Sequence, residues 1–476
     1  MQTDIKPPMA VSPRRAHSLD ALRGYAIMTM ILAATEAFGI LPAWMYHAQE
    51  PPPTHVFNPQ IYGITWVDLI FPFFLFSMGA AIPLSLGRQL EKGASRLSLL
   101  KKTVIRWMKL TFFAIFVIHV YPYMLGYPAP WINELVALVA FALMFMLFMR
   151  NPFHLGKWGN RTVNTLAYAA AIALILFQPY AEGKPFMLKD EDIIMLILAN
   201  VSLTGAVIYL LTPHKPLARL ALIPLLMAFF MSAKADGSWQ QAVRDFTFAP
   251  WLYHIAYQEY LLIIIPGMVA GDLMTHWLKA EATSQVHGRL KVAPWVALIS
   301  LALIVTNVAC LYSRLLVLNL VLTISLSVTL WQLVRGKDRE RTYWRKLCLC
   351  GIYMLATGLL IEAYEGGIRK DDVTLSYLFV TGGLAFFGLL FFTVTCDHYH
   401  IRWISEPLKL VGRNPMVAYV SNGLAVIPLL QLCRLFPLIT SLCTTPLLGF
   451  LQGVALTALC MLLTAFFTKR RMYWKT

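Results

Sequence analysis

Residues 63–82 read Gly63-Ile64-Thr65-Trp66-Val67-Asp68-Leu69-Ile70-Phe71-Pro72-Phe73-Phe74-Leu75-Phe76-Ser77-Met78-Gly79-Ala80-Ala81-Ile82. Between Asp68 and Arg88 there is no charged side chain. A helix of about 20 apolar residues crosses the ~30 Å hydrocarbon core of a bilayer. Pro72 inside such a run is no obstacle, because membrane helices tolerate internal proline. The stretch predicts a membrane-spanning helix with one carboxylate at its mouth.

The same pattern recurs along the chain. Of 476 residues, 58% are hydrophobic and 13% charged, and the mean hydropathy is +0.62. Average soluble proteins carry about 45–50% apolar and about 25% charged residues, so a water-soluble fold is excluded. Fourteen apolar stretches can be marked between residues 24 and 467. The expected fold is all-α, a polytopic integral membrane helical bundle with about 11–14 transmembrane helices. The bilayer is its first partner.

Charge gives the orientation. The net charge is +16, but the basic residues lie in short patches between apolar stretches. If the N-terminus is cytoplasmic, 32 of the 40 Lys and Arg residues fall on that side. The positive-inside rule then predicts both termini cytoplasmic and an even number of spans. This use of the positive charge argues against a nucleic-acid partner. The apolar run from Tyr25 to Leu41 contains Glu36 and has no small-residue cleavage site after it, so it reads as a retained first helix. The expected division is residues 1–21 as a cytoplasmic N-terminal tail, 22–467 as the membrane domain and 468–476 as a basic cytoplasmic tail. The seven cysteines have no zinc or haem spacing and read as buried thiols, and no metal is expected.

Ionisable groups within the bilayer cost several kcal/mol and need a partner or a task. Asp68 opens its otherwise apolar helix. Just before it, the loop from Pro42 to Tyr62 holds His47 and His55 among prolines and aromatics. A stiff loop of this kind can hold a neutral base at the mouth of a cavity. Trp44, Tyr46 and Tyr62 offer sugar-stacking faces or interfacial anchors. At Gly412-Arg413-Asn414-Pro415 the chain reads either as a broken helix lining a cavity or as a helix start with proline at its first position.

Several of these motifs resemble the heparan-α-glucosaminide N-acetyltransferase family of transmembrane acyltransferases. They are Ser18-Leu19-Asp20-Ala21-Leu22-Arg23-Gly24-Tyr25, the Gly63–Gly79 stretch, Ile368-Arg369-Lys370 with Thr374 and Ser376-Tyr377, the glycines Gly267 and Gly271, and Gly412-Arg413-Asn414. The family's His-Ala dipeptide stands here as His47-Ala48, well upstream of Gly63. His55 lies nearer but lacks the alanine, so the equivalent histidine stays open between the two. Thr35 and Glu36 stand where the family has an asparagine, Arg369 where it has another, and Val373 where it has a tryptophan.

The resemblance implies a bacterial enzyme of the inner (cytoplasmic) membrane, an acyl-CoA-dependent acetyltransferase with trimmed loops. It would pass an acetyl group from cytoplasmic acetyl-CoA, a co-substrate, to an extracytoplasmic acceptor, a sugar amine or hydroxyl. His55 or His47 would act as base or acyl carrier, oriented by Asp68, with Asn414 donating to the oxyanion. Arg23 and Arg413 would hold the CoA phosphates, Trp44 and Lys370 the carbohydrate acceptor, and a homodimer is the candidate assembly. The main rival is a secondary transporter or flippase for an envelope glycan precursor. A non-enzymatic subunit of an envelope-polysaccharide assembly is a third reading.

Overall fold

The computed structural model describes residues 16–35, 39–149, 155–281 and 290–474. Glu36 and most of the N-terminal tail lie outside them. Among the described residues there is no β-sheet, only isolated bridges, and the chain is a polytopic helical membrane protein. Eleven helices are long and apolar enough to cross a membrane. Three further helices are considered with them, namely His17–Thr35, the basic-ended Arg96–His119 and the shorter apolar Pro216–Ser232.

In chain order the fourteen are α1 (His17–Thr35), α2 (Val67–Glu91), α3 (Arg96–His119), α4 (Pro130–Phe148), α5 (Lys157–Phe177), α6 (Ile193–Leu211) and α7 (Pro216–Ser232). They continue as α8 (Ala256–Lys279), α9 (Ala293–Tyr312), α10 (Leu316–Leu333), α11 (Arg339–Tyr364), α12 (Leu375–His398), α13 (Pro415–Leu432) and α14 (Pro446–Lys469). An amphipathic helix, Arg402–Gly412, links α12 to α13.

α12 is the centre of the bundle. Nearly all of its residues are buried, which requires an apolar sequence on every face, and Leu375–Phe392 has one. α1, α2, α8, α9 and α11 surround it. α2 and α8 meet backbone to backbone. A Cβ on Gly267 would lie 2.5 Å from the Phe76 carbonyl oxygen, and one on Gly271 would lie 2.2 Å from that of Ala80. Lipid and Leu are equally apolar, so helices in a bilayer associate through such close packing of small residues. α1 and the linking helix do the same. A Cβ on Gly24 would lie 1.9 Å from Leu408 O, and one on Gly412 would lie 2.0 Å from Asp20 O.

Two of the charges that a bilayer makes expensive are paired, Asp272 with Arg219 and Glu362 with Arg314. The tail after α14 folds back into the bundle. Trp474 is buried among Phe113, Phe141, Phe145 and Phe148.

Candidate functional site

Asp68 begins as a capping residue. Thr65-Trp66-Val67-Asp68 starts a helix in capping-box fashion, with the carboxylate three residues in reaching back to the first backbone N–H. Asp68 Oδ2 accepts from Thr65 N at 2.9 Å and from Thr65 Oγ1 at 3.2 Å, and Ala48 N approaches it at 3.3 Å. The residue is 2% exposed. One oxygen is thus occupied by the fold, and the other, Oδ1, lies 2.7 Å from His47 Nδ1.

An ionised carboxylate only accepts, so the proton of this bond belongs to His47 Nδ1. That tautomer leaves Nε2 with its lone pair free for chemistry, on a ring that is one-third exposed. Lys370 Nζ stands 3.2 Å from the same Nδ1. With Nδ1 protonated, the ammonium is not hydrogen-bonded to the ring and its protons remain for another acceptor.

Two loops far apart in sequence are held together here. Gln49 Oε1 accepts from Asp371 N at 2.8 Å, and Gln49 Nε2 donates to Asp371 O at 3.0 Å. Gly63 N donates to Ile368 O at 2.8 Å, and Arg369 Nη1 to Pro59 O at 3.2 Å. Tyr377, at the start of α12, donates its hydroxyl to Asp68 O at 2.7 Å. Glu365 accepts from Leu375 N and Ser376 N, both at 2.8 Å, and so satisfies the first amides of that helix. Lys370 thereby sits beside His47 across more than 300 residues of chain.

The structure separates the two histidines. His55 packs edge-on against the Tyr46 ring, 4.5 Å between centroids, and it is His47 that meets Asp68. Trp44 lies on the same loop as His47, 54% exposed. Asn414 corrects the sequence expectation. Its Nδ2 donates to Met472 O at 2.9 Å and its Oδ1 accepts from Trp474 N at 3.3 Å. Both halves of the amide are used to anchor the C-terminal segment, at the far end of the bundle from His47. α12 defines those ends, because Tyr377 at its start touches Asp68 while Asp397 at its finish accepts from Ser18 N.

At that second end Asp20 is shared by two arginines, Arg413 at 3.6 Å and Arg23 at 3.9 Å. Arg23 also donates to Ser77 O at 3.3 Å. Arg106 of α3 is close enough to Arg23 for the two charges to repel. The sequence reading missed Arg106, because it stands in a basic run that topology alone explains. Between the ends runs an apolar seam of α1, α2, α6 and α13. It starts at Ala26 and Pro415, just beyond Arg23 and Asn414, and reaches Ile70, two residues after Asp68. Its cavity holds about 30 Å³.

A wider cavity of about 610 Å³ adjoins the seam and shares Met30, Ile194 and Tyr419 with it. Tyr121, Tyr123 and Glu134 also line it. Tyr419 donates to Asp192 Oδ2 at 2.5 Å. Beside Asp192, burial and the neighbouring Asp190 push the Glu191 carboxyl up to about 7. Among the described residues no group of three His, Cys, Asp or Glu is arranged to hold a metal.

Fold and site together define a polytopic membrane protein with a carboxylate-supported histidine at one end and clustered arginines at the other. Residues 15–274, more than half of the chain, match the family described as a domain of unknown function, DUF5009, and the chain belongs to that family. It is 34% identical over 133 residues to human heparan-alpha-glucosaminide N-acetyltransferase, a stretch covering 27% of this chain and 18% of the relative. The mouse protein of the same name is 34% identical over 121 residues, 25% of this chain and 16% of its own. The matched stretch is thus under a fifth of either relative, and the relationship is a distant one.

Proposed function

We propose that this protein is a transmembrane acetyltransferase that uses acetyl-CoA from the arginine end and delivers the acetyl group to an acceptor at His47. The observation that carries the reading is the His47–Asp68 pair, a base whose second nitrogen is held by a buried carboxylate. The partial likeness to a membrane N-acetyltransferase supports the reaction class. In this reading the arginine end faces the cytoplasm of a bacterial inner membrane and His47 faces outside, which the positive-inside distribution of Lys and Arg supports.

The chemistry follows from the tautomer. An acceptor amine or hydroxyl attacks the thioester carbon, and His47 Nε2 takes the proton it loses. Asp68 steadies the imidazolium, and general-base help of this kind contributes about 10²–10⁴-fold. As the carbon–sulfur bond breaks, the thiolate leaves and the same proton passes to it. The oxyanion needs a donor, and Lys370 supplies one where Asn414 does not. Arg23, Arg106 and Arg413 fit the CoA phosphates by charge and by the fork of the guanidinium. The apolar seam suits the slim pantetheine arm, which α1 and α13 must part to admit. A carbohydrate acceptor would stack on Trp44, and a homodimer remains the candidate assembly.

The transporter reading keeps one observation. α13 begins after the Asn414-Pro415 break and widens into a π-helical stretch at Asn422–Val426, beside the 610 Å³ cavity. Purified protein given radiolabelled acetyl-CoA separates the two. Thioester turnover that is lost in His47→Ala and kept in His55→Ala supports the acetyltransferase. Proteoliposome uptake without thioester turnover would overturn it in favour of transport.

A further inference from the structure

α10 packs on α9, where Asn307 Nδ2 donates to Thr323 Oγ1 at 3.1 Å, and it stands away from α11. The gap is a groove of about 680 Å³. Its walls are side chains such as Leu320, Ile324 and Trp331 on α10 and Ile352, Ala356 and Leu360 on α11. From Leu316 to Trp331 it runs about 22 Å at 1.5 Å per residue, most of the ~30 Å hydrocarbon depth. Both walls belong to helices long and apolar enough to span a membrane, so the groove lies at hydrocarbon depth.

One end of the groove is polar and leads to the candidate site. Glu362 lines it and is paired with Arg314. Arg314 and Arg369 both lie against the Tyr62 ring, 5.8 and 5.3 Å from its centroid. Arg369 has spare hydrogen-bonding capacity. Nη1 donates to Pro59 O, Nε is buried without a hydrogen bond, and Nη2 reaches the largely exposed Asp372 at 3.3 Å. A phosphate competes well with the exposed Asp372 for Nη2, because a charge-assisted bond from a guanidinium to a phosphate is strong and an exposed ion pair is weak. The next residue, Lys370, is the one beside His47.

We propose that the α10–α11 groove seats the chain of a phosphate-headed lipid, with its phosphate at Arg369, and that this lipid carries the acetyl acceptor to His47. The proposal rests on the acetyltransferase reading and names its substrate class, a lipid-linked sugar. The chain in the groove sets depth, the phosphate at Arg369 sets direction, and the sugar beyond it meets Nε2. Transfer then forms the acyl–acceptor bond as the thioester carbon–sulfur bond breaks, with the proton moving through His47 to the thiolate.

Native mass spectrometry of the full chain in detergent, titrated with a polyprenyl phosphate or the matching polyprenol, tests the groove without any activity. Tighter binding of the phosphate is expected. Arg369→Gln should remove that advantage, while Ala356→Trp and Leu360→Trp, which fill the groove, should weaken both ligands at least tenfold. Equal binding of the two ligands, or no effect of either tryptophan, would mean bulk lipid only and overturn the proposal. So would tryptophan variants that turn a two-copy assembly into single copies without affecting lipid. In the transfer arm, acetylation of a hexosamine linked to the polyprenyl phosphate is compared with that of the free sugar. A preference for the lipid-linked acceptor that Ala356→Trp reduces at least tenfold supports the proposal, and equal use of the two overturns it. Binding as expected with acetylation of neither acceptor would instead sink the acetyltransferase reading, and the acceptor role with it.

Discussion

The two ends of the bundle carry charge in different ways. At the Asp68 end His47 and Lys370 stand on loops beside the first turn of α2, and hydrogen bonds from side chain to backbone hold those loops together. At the Asp20 end Asp20 and Arg23 stand on α1, and Arg413 directly follows the linking helix that meets α1 through glycine, so these groups are placed by helix packing. The first arrangement fixes one histidine nitrogen on one carboxylate oxygen, as proton transfer requires. The second gathers positive charge around Asp20, the charge that the proposed CoA site requires.

If that contrast is right, substitutions at the two ends should affect different kinetic constants. His47→Ala should lower kcat for acetyl transfer by about 10²–10⁴-fold, with acetyl-CoA binding retained. His55→Ala should stay near wild type. Asp68→Asn keeps a side chain that can still accept from Thr65 N, but it lacks the charge that favours the imidazolium. Its kcat should fall by at least about tenfold, less than in His47→Ala. A loss in His55→Ala equal to that in His47→Ala would break the contrast.

Arg106→Gln and Arg413→Gln should instead raise KM for acetyl-CoA, each by about tenfold, with kcat little changed. Isothermal titration with CoA checks the same effect without turnover. A fall in kcat at constant KM would place these arginines outside the binding of the nucleotide. Gln49→Ala removes two hydrogen bonds that join the loops, each worth about 1 kcal/mol. It should lower thermal stability modestly and reduce kcat by releasing Lys370 from His47, and Lys370→Met should show the kinetic part alone.

The fold was largely legible because bilayer physics writes it into composition. Long apolar stretches, each able to satisfy its own backbone, predict a bundle of about 11–14 spans, and eleven of the described helices are long and apolar enough to cross a membrane. The pairing of α2 with α8 was visible only as glycines at Gly267 and Gly271. In the site, Asp68 stood out because a lone carboxylate at a helix mouth is costly. The choice between His47 and His55 did not, because nearness in sequence says little about a loop that folds back on itself. His55 is nearer to Asp68 in the chain, yet it turns onto Tyr46. Asn414 misled for a similar reason. An asparagine beside a helix-breaking proline looks available for catalysis, and its partners, Met472 and Trp474, are 58 and 60 residues away. Arg106 was hidden because a basic run near a helix end already has a topological explanation.

The smallest expected effect concerns the loop before α6, close to the wide cavity. Glu191 holds its proton up to about pH 7 in the folded protein, whereas an unfolded glutamate loses it near pH 4.3. Below the unfolded value both states are protonated and Glu191 makes no difference to stability. As pH rises from there to about 7, the folded state binds more protons than the unfolded one, so stability falls with pH and then levels off. Glu191→Gln removes that slope. The variant and the wild type should therefore melt together in detergent at pH 4, and the variant should melt higher at pH 8. Neither His47 nor Asp68 touches Glu191, so the activity of the variant at pH 6 should match wild type. If instead the variant melts lower than wild type at pH 8, the ionised carboxylate is stabilising, and the loop holds its charge through contacts of the kind that pin Asp68.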